Sequence, residues 1–242
     1  MTPIDIIKNA QHAELTNEDG DKITIELSPP ASPEQIKTLE DKIGQKLPDE
    51  LRTILSFCSA IDGCLEQIDF TGHSLSFEFP EVFPNGLPIA ADGFGNFWVL
   101  DITPQTKDSA PVFFACHDAP VILYQSPSIS SFLIEVFRLF TAPHESLIND
   151  IHEDRLFEVW KRNPDVIEYA DACASSDESI CDFARTLNAK SKIVDLRNAK
   201  VGMGFSWGRY GPKTKLHRYK HEHIFAYEKP PSAGFLTKLF GR

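Results

Sequence analysis

The sequence predicts an α+β fold: a sheet with flanking helices, followed by a C-terminal extension of helices and a β-hairpin. Three observations lead there. Apolar residues recur at helical spacing behind clear start signals between residues 32 and 58. The period then shortens, and apolar strand-like runs separated by turn residues fill residues 75–124. Helical and strand patterns follow in turn to the end. Helices, a run of strands and then a helix is an order that strict βαβ alternation would not give.

Thr2-Pro3 opens a first helix through Ala10, with Pro at the first helical position. Lys22 to Leu27 alternates polar and apolar residues, as a half-buried strand does. Ser32-Pro33-Glu34-Gln35 reads as an N-cap, a first-turn Pro and a capping-box Gln; Ile36, Leu39 and Ile43 line one face before Gly44 stops the helix. Leu47-Pro48-Asp49-Glu50 starts a second helix whose stripe is Leu51, Ile54, Leu55 and Cys58. Leu75, Phe77 and Phe79 alternate with polar residues and predict a strand. Asp92-Gly93-Phe94-Gly95-Asn96 predicts a tight turn into the strand Phe97 to Leu100, and Val112–Ala115 and Val121–Tyr124 predict two more. A helix follows from near Ser130 to Phe140. Helices are then expected over 145–161, stopped by Asn163-Pro164, and over 177–187. Strands are expected over 192–196, 201–207, 214–219 and 224–227, with Arg209-Tyr210-Gly211-Pro212 as a turn and Ser232 capping a last helix that carries Phe235, Leu236, Leu239 and Phe240.

With 242 residues, 42% of them hydrophobic, the chain can bury a full core in one large domain or two small ones. Its longest apolar runs are far too short to span a bilayer, and no basic-then-apolar leader opens it, so a cytoplasmic location is expected. The five cysteines form no C-x-x-C pair and read as reduced, structural residues. Charge is distributed unevenly. Residues 1–149 hold 8 Lys/Arg against 22 Asp/Glu, residues 150–183 hold 3 against 10, and residues 184–242 hold 13 against 3. An acidic body repels nucleic acid and membrane surfaces and attracts basic partners.

In order along the chain, the helix pair Pro33–Gly44 and Leu47–Leu51, the stretch Pro88–Asp101 and the strand Val112–Asp118 resemble the SUKH superfamily, the group that includes the fungal cell-wall-assembly regulator. The resemblance covers roughly residues 20–145. Cys58-Ser59-Ala60-Ile61-Asp62-Gly63 departs from the Asn-Gly-Gly often found after the second helix, and Cys116 stands where a polar residue is commoner. The resemblance implies a binding module: many bacterial members look like immunity proteins that neutralise toxins, often nucleases, and the fungal member is a regulatory scaffold. The end of the resemblance, with the charge reversal after residue 183, divides the chain into three expected parts: residues 1–19 as a helical segment, 20–145 as the SUKH-like domain and 146–242 as an extension with a basic, β-rich tail.

No catalytic constellation emerges, and neither an enzymatic activity nor a cofactor is expected. Gly202-Met203-Gly204-Phe205-Ser206-Trp207-Gly208 has the wrong spacing for a phosphate loop and no helix after it. Its alternation reads as a strand, with small residues on one side for close packing. His217, His221 and His223, with Tyr219, would share one face of a strand, but no Cys or carboxylate sits at a familiar ligand spacing. Cys116-His117-Asp118 names the parts of a triad, yet neighbours on a strand point to opposite faces. Arg209, Lys213, Lys215, Arg218 and Lys220, interleaved with Trp207, Tyr210 and Tyr219, could hold nucleic acid or dock on the acidic body of the same chain. The leading expectation is a protein-binding antagonist of a basic toxin, with Glu34, Glu40, Asp41, Asp49, Glu50, Glu66, Asp69 and Glu78 as candidate contacts. A regulatory scaffold without a toxin partner and nucleic-acid binding through residues 184–242 are the alternatives.

Overall fold

The computed structural model describes residues 1–77, 79–116, 120–207 and 214–228. Its helices begin where the sequence places its caps. Helix α1 (Pro3–His12) is capped by Thr2, whose hydroxyl accepts from the Asp5 N–H while the Asp5 carboxylate accepts from Thr2 N–H. Helix α2 (Pro33–Ile43) carries the same reciprocal box between Ser32 and Gln35 and ends at Gly44, whose φ of 80° only glycine adopts without strain. Helix α3 (Asp49–Leu55) buries Leu51, Ile54 and Leu55, and helix α4 (Ile129–Leu139) is capped by Ser128.

The expected strand over 22–27 is divided. A small hairpin pairs β1 (Leu15–Thr16) with β2 (Lys22–Ile23), while β3 (Glu26–Leu27) changes partner and joins the main sheet, so the ladder breaks at Thr24-Ile25. That sheet continues through β4 (Ala60–Asp62), β5 (Gln67–Asp69), β6 (Gly86–Ala91), β7 (Phe97–Asp101), β8 (Val112–Cys116) and β9 (Val121–Ser126), each antiparallel to its neighbour. The expected strand over Leu75, Phe77 and Phe79 does not form among the described residues. Those residues belong to the connection between β5 and β6, which already pair with each other, so no ladder position is open to them.

The chain then builds outward. Leu147–Asp150 (α5), a π-helical turn over Ile151–Arg155 and Leu156–Arg162 (α6) follow one another up to Asn163. Strand β10 (Val166–Glu168) and helices α7 (Tyr169–Cys173) and α8 (Glu178–Thr186) precede β11 (Ser191–Asp195). Strand β12 (Gly204–Ser206) returns to the main sheet beside β9, and β13 (Lys215–Arg218) with β14 (Ile224–Glu228) completes a second sheet of order β10-β11-β14-β13.

Alternate residues of the central strands face two different cores. Trp98, Leu100, Phe114 and Leu123 pack with α1 to α6, whereas Val99, Phe113 and Ile122 pack with Val194, Leu196, Phe205, Phe225 and Tyr227. Behind the second sheet, Ile193, Ile224 and Ala226 meet Ala172, Ile180 and Phe183 of α7 and α8. The order is helices, large sheet, small sheet, helices. Strands covered on both faces explain why Phe97–Leu100, Val112–Ala115 and Val121–Leu123 are continuous apolar runs rather than alternating ones.

Candidate protein-binding surface

Helix α2 stands off strands β4 and β5 of the large sheet, leaving a groove of about 660 Å³. Glu34, Thr38 and Lys42 line its helical wall, and Asp62, Gln67 and His73 line the opposite wall. Leu39 and Ile68, both buried, also line it. Glu34 and Asp62 are exposed acids here, against Lys42 as an exposed base.

The expected contact residues divide according to what their carboxylates already hold. Glu34 and Asp69 both border the groove, but Asp69 is buried. Its oxygens accept from Thr71 N–H (2.8 Å), Thr71 Oγ1 (2.6 Å), Ser74 N–H (2.9 Å) and Ser74 Oγ. Burial alone would raise this carboxyl; the bonds from Ser74 and Thr71 outweigh it and hold the group below its ordinary 3.8. Glu40 ties α2 to α3, accepting from Leu47 N–H (3.1 Å) and pairing with Arg52. Glu50 accepts from the N–H groups of Ile129 (3.0 Å) and Ser130 (2.9 Å), so it caps the N-terminus of α4 from 79 residues away. Asp41 and Asp49 are exposed at the end of α2 and the start of α3. Glu66 is exposed and lies against Gly93, beside the β6–β7 turn rather than in the groove. Glu78 lies outside the described residues. The groove residues Asp62, Gln67 and His73 carry no signal in the sequence, because only the pairing of β4 with β5 brings them opposite α2.

The histidines do not share a face. Strand β13 ends at Arg218, and the chain turns before His223. His217 lies 3.3 Å from Glu228, while His223 Nε2 lies 2.7 Å from Asp101 Oδ2. Among the described residues no group of three or more His, Cys, Asp or Glu is arranged to hold a metal. His117 and Asp118 of the triad-like run, and Gly208 to Lys213, lie outside the described residues; Cys116 ends β8.

Much of the described basic stretch serves the chain itself. Arg218 is 3% exposed at its side chain and forks onto Asp101, with Nη1–Oδ1 2.9 Å and Nη2–Oδ2 2.7 Å. It also donates to the Val82, Glu222 and His221 carbonyls. Arg197 is held by Asp195, Asp177 and Glu222, and Lys192 by Glu168.

Among the described residues no helix is long and apolar enough to cross a membrane. Residues 30–135 match the model of the SMI1 / KNR4 family (SUKH-1). No curated protein and no solved structure matches the chain.

Proposed function

The chain carries a SUKH domain of the SMI1 / KNR4 type over residues 30–135, and from that premise we propose that it is a non-catalytic protein-binding module that neutralises a basic toxin through its acidic face. The family match is the observation that carries this reading, because the module it points to acts by docking. The acid-lined groove between α2 and strands β4 and β5 supports it. Glu34 and Asp62 stay exposed there, with carboxylates that would steer a positively charged partner and offer salt-sensitive contacts to it. Asp41 and Asp49 extend the same sign of charge along α2 and α3. We further propose that the domain division falls near residue 145, with residues 146–242 as an extension.

The test is a pull-down from the native cell at physiological salt, followed by association kinetics with the captured protein. Glu34→Lys with Asp62→Lys is expected to slow association several-fold and flatten its salt dependence while leaving the unfolding transition in place. Recovery of nucleic acid through residues 184–242, with no protein partner, would replace this reading with the nucleic-acid alternative. Turnover of a substrate by the purified chain would end it outright.

A further inference from the structure

A second groove, of about 340 Å³, opens where the small sheet stops covering the large one. Four half-buried rings line it: Phe77, Phe79, Phe97 and Trp207. They are gathered as pairs, Phe79 against Trp207 with centroids 5.0 Å apart and Phe77 against Phe97 at 5.3 Å. Gly95 of the β6–β7 turn forms a lip, and its neighbour Phe94 is 79% exposed. Water at such a surface is costly, at roughly 25 cal/mol per Å² of apolar area left uncovered.

We propose that this groove is a docking site for the chain's own C-terminal segment, residues 229–242. Where the described chain ends points there. Strand β14 finishes at Glu228, and the hydroxyl of Tyr227 accepts from Asn163 Nδ2 at 2.7 Å. The same Nδ2 donates to the Ser206 carbonyl at 3.0 Å, and the next residue, Trp207, lines the groove. One side chain therefore links the point of departure to the groove's rim. Fourteen residues follow Glu228, a length that spans about 45 Å when extended. Their composition suits the surface: Phe235, Leu236, Leu239 and Phe240 recur at spacings of one and four, with Lys229, Lys238 and Arg242 between and around them and no acid. A tether this short gives an effective concentration in the millimolar range, which favours the chain's own segment over a second copy at micromolar protein. Docked, the segment covers the rings and competes with any outside partner for them.

The test uses the full chain with Phe235→Asp and Phe240→Asp together. The pair is expected to raise binding of an apolar fluorescent dye several-fold and to shift tryptophan emission to the red, a shift that disappears when Trp207→Phe is added. A synthetic peptide of residues 229–242 is expected to bind the double variant and to quench both changes, while the parent chain ignores it. Dye binding and emission that are identical in parent and double variant overturn the proposal. So does a peptide that fails to bind the double variant, or a parent chain that elutes as a dimer dissociated by Phe79→Asp but not by the tail substitutions.

Discussion

Asp101 has no exposed side-chain surface, yet Arg218 and His223 reach it from 117 and 122 residues away. Burial alone would raise its carboxyl; the hydrogen bonds from His223 and Arg218 outweigh that cost and hold it below 3.8. Removing one partner leaves a buried charge uncompensated, so Asp101→Ala is expected to lower stability by about 3–5 kcal/mol in urea unfolding. The linkage has a definite sign. A carboxyl whose folded pKa lies below its unfolded value stabilises the fold above that unfolded value and ceases to do so as pH falls through the folded one. Asp101 and Asp69 therefore predict loss of stability below about pH 4. His152 predicts an earlier step. Its ring stacks on Trp98 at 5.3 Å and burial lowers its pKa from 6.5, so the neutral ring fits and stability declines as pH drops below that value. Urea midpoints against pH are expected to show both steps, and His152→Gln to remove the first. Glu50 makes a further contrast at this scale. Glu50→Lys loses two bonds to the start of α4 and is expected to cost about 1–2 kcal/mol, whereas exposed Asp41→Lys is expected to leave the urea midpoint where it is.

Strand β12 shows how an element is fixed by what closes its free side. Its inward groups pair with β9, and its outward groups meet side chains instead of a further strand. Asn163 donates to the Ser206 carbonyl and accepts from the Ser206 N–H, both at 3.0 Å, and Asp165 accepts from Gly204 N–H at 3.0 Å. Two side chains thus stand in for a ninth strand and blunt an edge that would otherwise recruit another chain. Asn163 itself sits at φ 53°, a left-handed conformation that Asn tolerates and branched residues do not. Asn163→Gly keeps that backbone but loses the bonds; the expected outcome is about 1–3 kcal/mol of lost stability and concentration-dependent self-association by light scattering. Gly204→Ala is expected to strip β12 from the sheet, because an added methyl would sit 2.0 Å from the Ile122 carbonyl oxygen. Faster hydrogen exchange at Phe205 and Ile122 is the measurement that checks it.

At the scale of the whole molecule, the proposed division near residue 145 has to meet the fact that the extension supplies one strand of the large sheet and the cover for its second face. A chain ending at Glu145 keeps β3 to β9 and helices α1 to α4, but loses α5 and α6 from the first face and exposes Val99, Phe113 and Ile122 on the second. The expected outcome is retained far-ultraviolet circular dichroism with strong apolar-dye binding and poor solubility. Adding residues 146–228 back in the same chain is expected to restore a single sharp unfolding transition. The charge pattern belongs to this scale too. The acidic body and the basic end of the chain meet inside the molecule, at the Asp101–Arg218 pair.

By itself the sequence determined the α+β class, the capped helices and the strands β7, β8, β9, β11 and β14, because those signals are local: a Ser-x-x-Gln box, a Gly at a helix end, an unbroken apolar run. Even the reading of Val201–Trp207 as a strand with small residues for close packing rests on neighbours in sequence, and the shorter β12, with its close approach at Gly204, falls within it. Strands β4 and β5, each three residues long, carry too little pattern to be legible, and Leu75–Phe79 carries a strand pattern without a free partner. Only the tertiary structure decided which acids are exposed and which are not. Glu34 and Asp69 both read as acids in the sequence, yet one stands in solvent and the other is enclosed by Thr71 and Ser74, and Glu50 became a helix cap because α4 starts beside it. A charge's role depends on what the fold brings within three ångströms of it, and for Asp101 those groups come from more than a hundred residues away.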